Sequence, residues 1–246
     1  MTRSLPKRIE PDAIVEAIVE VRFETDLFPE IMLGRLLSSP YLSTWAATRL
    51  PGGDIPYSAR ETEVAFRYQP MFQLERGTEL IRLGAYHLSL HILPPYCGWD
   101  QLRAKAKEFL QQCWTEVDHS DLKRCGLRYV NALTASRHGV CSIEDLNLRV
   151  DVGGKPLVDV TVAYGSEENP QAEALVRIAS KKHVVGDLPA DATFVVDIDI
   201  HNEQPTDLQT AADVMSWLEQ AHELEKRLFF DLLPDRIVDP LKEGTA

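Results

Sequence analysis

The stretch Ile14-Val15-Glu16-Ala17-Ile18-Val19-Glu20-Val21-Arg22-Phe23-Glu24 decides the fold. Val15, Ala17, Val19, Val21 and Phe23 alternate with Glu16, Glu20 and Arg22, the period-two pattern of a strand with one buried and one wet face. A strand wet on one side belongs to an antiparallel sheet, because parallel strands are covered on both sides.

Working outward, Phe28, Ile31, Met32 and Leu36 recur at helical spacing before Pro40 and predict a short helix. Residues Ala46 to Glu61 hold Pro51, Gly52, Gly53 and Pro56 and read as a loop of a length that often carries function. Val64–Leu74 and Glu79–Leu93 are rich in aromatic and branched residues and read as two strands turning at Arg76-Gly77, the second of them long. Beyond Pro94-Pro95, the stripe Trp99, Leu102, Ala106, Phe109, Leu110, Cys113, Trp114 and Val117 predicts a helix lying on the sheet. Lys123–Leu133 returns as a strand.

The C-terminal part opens with two expected strands, Leu146–Val152 and Leu157–Ala163, joined through Gly153-Gly154. Ala172–Ala179 and Thr193–His201 follow as strands. A long helix is then expected from a Thr206 or Asp207 cap through Leu208, Ala211, Met215, Leu218, Ala221, Leu224 and Leu228, stopping before Pro234. The fold class is therefore α+β, in two halves, each an antiparallel sheet with helices packed on one face. The expected division is 1–138 and 139–246, with its seam near Ser136 to Ser142, and no internal sequence repeat is visible.

Composition narrows the function classes. With 246 residues and 44% hydrophobic content the chain can fill a real core. Its net charge is −12, and Asp191–Ala246 alone holds 13 acidic against 4 basic residues. Phosphate backbones require clustered cations, so nucleic acid is not the expected partner, and Lys181, Lys182, His183, Arg103, Lys105 and Lys107 read as solvated. No apolar run follows Arg3 and Lys7, and no stretch approaches about 18 consecutive apolar residues, so neither a signal peptide nor a membrane span is expected and the location reads as cytoplasmic. Cys97, Cys113, Cys125 and Cys141 form no Cys-x-x-Cys pair and read as reduced, structural thiols.

Candidate sites come from strand alternation. Asp197, Asp199 and His201 share one face of their strand, and Asp159 on a neighbouring strand could join them, a donor set that suits a divalent metal. Same-face neighbours stand about 6 to 7 Å apart, too far for one ion to reach all three easily. The competing reading is a solvated face with Asp and Arg paired across strands. His87, Ser89 and His91 alternate likewise, while Arg128 and Asn131 mark a strand whose Asn must find buried partners; these are candidate ligand or partner contacts. Gly-x-Ser-x-Gly, Gly-rich phosphate loops and His-Glu-x-x-His do not occur.

The motifs Ile14-Val15-Glu16-Ala17, Tyr96-Cys97-Gly98-Trp99 and Leu127-Arg128-Tyr129-Val130-Asn131, with the Asp197 strand and Phe229-Phe230 ending the last helix, resemble an uncharacterised bacterial family of sporadic distribution among genomes. That resemblance covers most of the chain and implies a bacterial cytosolic protein of an accessory system, with no catalytic residues to carry over. The expected role is a non-catalytic binding or regulatory protein acting through a protein partner or as a homodimer, without a cofactor. The alternative is a metal-dependent hydrolase or enzyme subunit using the polar face around Asp197.

Overall fold

In the computed structural model, which describes residues 5–117, 121–155, 159–169 and 172–242, the strands form one nine-stranded sheet. The elements run β1 (Ile14–Glu24), α1 (Pro29–Ser38), β2 (Ala46–Arg49), a 3-10 turn, α2 (Tyr57–Thr62), α3 (Val64–Arg67), β3 (Pro70–Arg76), β4 (Glu79–Gly84) and β5 (His87–Ile92). They continue with α4 (Trp99–Cys113), β6 (Asp121–Thr134), α5 (Ala135–His138), β7 (Thr161–Asn169), β8 (Ala172–Ser180), β9 (Ala192–Asn202), α6 (Ala211–Leu232) and α7 (Asp235–Leu241). Strand order is β2-β3-β4-β5-β1-β6-β9-β8-β7, with antiparallel registers across the pairs β1/β5, β2/β3, β3/β4, β4/β5 and β7/β8. An α+β class with antiparallel pairing is thus observed, and no helix among the described residues is long and apolar enough to cross a membrane.

Two compact units can be distinguished, and each is discontinuous in sequence: residues 17–127 with 201–220, and residues 1–16 with 128–200 and 221–246. In the first, Val19, Val21 and Phe23 of β1 and Leu88, Leu90 and Ile92 of β5 are buried on one sheet face. α4 brings Leu102, Ala106, Phe109, Leu110 and Cys113 to the core, and its C-terminal end lines a small apolar cavity with Val21, Phe23 and Leu88. Leu102, Phe109 and Leu110 each contribute about 1.5 to 3 kcal/mol of transfer free energy before ordering costs. In the second unit, β8 buries Ala174, Val176 and Ile178, β9 buries Val196, Ile198 and Ile200, and α6 supplies Ala221, Leu224 and Leu228 at helical spacing. His138 helps to close this unit: its Nδ1 accepts the Thr134 backbone N–H at 3.0 Å and its Nε2 donates to the Pro11 carbonyl at 3.1 Å.

Several local expectations are corrected. Ala46–Glu61 is not a loop but holds the edge strand β2, the 3-10 turn Pro51–Asp54 and most of α2. Val64–Arg67 is helical, although its composition favours a strand, because the buried Arg60 side chain gathers the surrounding carbonyls. The long strand expected over Glu79–Leu93 is the β4/β5 hairpin. Its turn at Ala85-Tyr86 is buried, so it lacks the polar residues by which turns are usually recognised. Gly84 is required there, since a Cβ would stand 2.8 Å from the Gln69 carbonyl oxygen.

Leu146–Val152 alternates like a strand yet forms none; Asn147 N–H instead donates to the Leu232 carbonyl at the end of α6. The Gly153-Gly154 turn exists, both residues at positive φ, with Gly154 N–H bonded to Asp151 Oδ1 at 2.9 Å. Of the strand expected over Leu157–Ala163, residues 157 and 158 lie outside the described residues, and β7 begins at Thr161. The long helix α6 is capped by neither Thr206 nor Asp207, and a further short helix, α7, follows Pro234. Thr210 and Asp213 bond reciprocally, Asp213 N–H to Thr210 Oγ1 and Thr210 N–H to Asp213 Oδ2, and set the start at Ala211.

Candidate functional site

Cross-strand register assembles the first candidate region from residues far apart in sequence. Arg22, Glu20 and Ile18 of β1 stand opposite His87, Ser89 and His91 of β5. Ser89 and His91 stand in turn opposite Arg82 and Leu80 of β4. Because same-face residues recur every second position, Ser89 is the centre of a small lattice with Arg82 and Glu20 beside it and His87 and His91 above and below.

Glu20 is the electrostatic hub of this lattice. His87 Nε2 lies 3.2 Å from Glu20 Oε2, and Arg124 Nη1 donates to Glu20 Oε1 at 2.6 Å. Arg124 also donates through Nε to Glu203 Oε1 at 2.9 Å. Arg22 Nε lies 2.8 Å from Glu20 Oε1, an ion pair by distance whose alignment does not make a hydrogen bond, and its guanidinium stacks on Tyr68 at 4.7 Å. Burial pushes the Glu20 carboxyl up, but the His87 hydrogen bond and the charges of His87, Arg124 and Arg22 outweigh it and hold the group well below the usual carboxylate range. A carboxylate so held is no general acid or base near neutral pH.

Ser89 Oγ and His91 Nε2 are 2.8 Å apart, the distance of a nucleophile and its base. A nucleophile must reach substrate, and Ser89 is only 1% exposed, so the pair serves packing here. His87 and His91, proposed from sequence as ligand or partner contacts, are therefore brought together on one face, and both are buried.

The remaining sequence candidates lie chiefly in the second unit. Arg128 grips Asp197 in bidentate fashion, Nε to Oδ1 at 2.6 Å and Nη2 to Oδ2 at 2.8 Å, and Arg177 Nη1 stands 3.5 Å from Oδ2. Both oxygens offered to a metal are thus committed to guanidinium, the cross-strand pairing that competed with the metal reading. Asp159 is ion-paired with Lys182, and His201 Nε2 lies 3.9 Å from Glu203 Oε1 in the first unit. Asp199 contributes a negative charge that favours the charged form of Arg128. Asn131 Nδ2 donates to the Val196 carbonyl at 3.3 Å. Among the described residues, no three His, Cys, Asp or Glu side chains gather in a way that could hold a metal ion.

A third region, missed by sequence reading, breaks the ordinary partition of residues. Seven large hydrophobic side chains are exposed among the described residues, and five of them, Phe28, Ile31, Tyr57, Val64 and Phe66, come from α1, α2, α3 and the residue preceding α1. Phe28 is 58% and Val64 79% exposed. The Phe28 and Tyr57 rings adjoin, centroids 6.0 Å apart, and Ile31 is one turn along from Phe28. Single exposed apolar residues are ordinary, but a group of them is not.

The support beneath these residues is polar and ordered. Arg60 is completely buried and donates through Nη1 to the carbonyls of Phe66 at 3.0 Å and Gln69 at 2.9 Å, and through Nη2 to that of Gly52. Burial lowers its pKa from the usual arginine value. Gly52 is obligatory, since a Cβ there would meet the Pro70 carbonyl oxygen at 2.2 Å. Tyr57 and Tyr86 share a hydroxyl hydrogen bond of 2.8 Å, the Tyr86 hydroxyl donates to Glu61 Oε1, and Arg67 lies over the Tyr86 ring at 4.2 Å while bonding both Glu24 oxygens. The usable sequence signal was the set Tyr57, Val64 and Phe66, apolar residues in a Pro/Gly-bounded stretch too short to bury them.

No protein-family model and no curated protein matches this chain.

Proposed function

We propose that this protein is a non-catalytic binding or regulatory protein that docks a protein partner on the apolar surface formed by Phe28, Ile31, Tyr57, Val64 and Phe66. The observation that carries this reading is the concentration of five of seven exposed large hydrophobics, among the described residues, on α1, α2, α3 and the residue before α1, with α2 and α3 held by the fully buried Arg60. Ordering such a surface before binding reduces the entropy lost on association, which is the use of a rigid apolar platform. Aromatic anchors of this kind dominate binding energy at protein interfaces. The bacterial, cytoplasmic accessory setting suggested by the family resemblance is compatible with this role. Metal-assisted hydrolysis at Asp197 gains no support from a carboxylate held by Arg128.

The test is affinity capture from the native host with the wild-type chain and with the Phe28→Ser/Val64→Ser variant, each followed by native mass spectrometry. A defined partner retained by the wild type and lost by the variant is expected. Equal capture by both forms, or a wild-type monomer that retains nothing, defeats the proposal.

A further inference from the structure

We infer that the partner segment received by this surface is basic, carrying apolar anchors flanked by Lys or Arg, and is not a second copy of this chain. This inference rests on the docking reading above and adds the chemistry of the occupant. The charged residues from β1's end through α1, and from α2 through α3, are Glu24, Asp26, Glu30, Arg35, Arg60, Glu61, Glu63 and Arg67. Arg60 is buried among carbonyls, and Arg67 is tied to Glu24 and lies 3.9 Å from Glu61, which leaves Asp26, Glu30 and Glu63 exposed on these segments against Arg35. The apolar side chains are therefore flanked along the chain by three such carboxylates, Asp26 and Glu30 beside Phe28 and Glu63 beside Val64, against one guanidinium.

Such a rim selects its occupant by charge. An isologous contact between two copies would bring each acidic rim against its twin, on chains that each carry −12. A segment with cations beside its anchors instead meets an apolar centre and complementary charge together, and rim charges of this kind act mainly on the association rate and on its salt dependence.

The test uses two synthetic amphipathic peptides of about 18 residues with the same Leu pattern, one Leu/Lys and one Leu/Glu, titrated by fluorescence anisotropy against the intact protein. Three forms are compared: wild type, Phe28→Ser/Val64→Ser, and the rim reversal Asp26→Lys/Glu30→Lys/Glu63→Lys, which spares Glu61 because it bonds Tyr86. Tighter binding of Leu/Lys is expected, weakened about tenfold by the apolar variant and, separately, by rim reversal or by raising salt from about 50 to 300 mM. Rim reversal should at the same time tighten Leu/Glu.

Equal binding of both peptides, lost in the apolar variant, overturns the basic partner and leaves the docking surface standing. Leu/Lys binding that the apolar variant leaves unchanged overturns the surface itself. A wild-type dimer dissociated by Phe28→Ser/Val64→Ser assigns the surface to a second copy and overturns this inference.

Discussion

Strands β1, β5 and β6 and helices α1 to α3 break the usual partition of residues in opposite senses. The strands bury His87, Ser89, His91 and Arg124 around the half-buried Glu20, whereas the helices expose Phe28, Ile31, Tyr57, Val64 and Phe66. In the strands the anomaly resolves internally, because Glu20 is met by His87 and Arg124, and Ser89 by His91. In the helices Arg60 gathers three carbonyls through its two Nη atoms, although its buried Nε has no hydrogen-bond partner, and the apolar residues stay exposed. A buried polar network whose members pair explains itself as scaffolding, while an ordered apolar surface leaves its explanation outside the chain.

The sharpest way to break this comparison is Arg60→Met, which removes three carbonyl contacts from a fully buried charge. We expect a loss of about 3 to 5 kcal/mol in urea unfolding, with rapid hydrogen exchange confined at first to α2 and α3. A loss under about 1 kcal/mol would mean that Arg60 does not organise the surface. Next in size is Glu20→Gln, expected to cost about 2 to 4 kcal/mol at pH 7 by removing the negative charge that meets His87 and Arg124, of which Arg124 keeps Glu203. The folded-state pKa of Glu20 is depressed from 4.5, so its contribution is full above about pH 4.5 and lost as pH falls through the folded value. The gap between wild type and variant should therefore narrow in acid.

Glu225 on α6 sharpens the same contrast, being a buried carboxyl that burial pushes up to about 8, with only the charge of Lys226 opposing it. Here the folded state holds its proton more tightly than the unfolded chain at 4.5, so the cost of burial grows through the window from about pH 4.5 to 8 and is full above it. Glu225→Gln should thus raise stability by about 1 to 3 kcal/mol at pH 9, with the gain vanishing near pH 4.5. Thermal denaturation at the two pH values checks it, and an equal effect at both would reject the assignment. The smallest effect is expected for Phe28→Ser/Val64→Ser, within about 0.5 kcal/mol of wild type, since neither side chain is buried. A larger loss would show that these residues serve the fold and not a partner.

How much was legible in the sequence depended on how regular each segment's own signal was. β1, β8, β9 and α4 followed their apolar periods, because each buries its stripe against the core, whereas α1 formed where its spacing placed it but buries only Met32 and Leu36 of the four apolar residues that marked it. The β4/β5 hairpin was hidden by its buried turn, and α3 by Val64 and Phe66, whose strand-favouring composition was overridden by Arg60. The Asp197 face was read correctly as polar, but its pairing with Arg128 depended on a cross-strand register that no local pattern encodes.

The sequence by itself determined the α+β class, the acidic balance and the alternation that puts Glu20, His87, Ser89 and His91 on polar strand faces. Only the tertiary structure decided that these four meet on one sheet face as two hydrogen-bonded pairs, that Asp197 belongs to Arg128, and that Phe28 lies beside Tyr57. The physical reason is that periodicity records which side of an element faces the core, whereas the identity of its neighbour is set by register and by long-range contacts such as those of Arg60, whose free energy exists only once distant carbonyls have converged on one side chain.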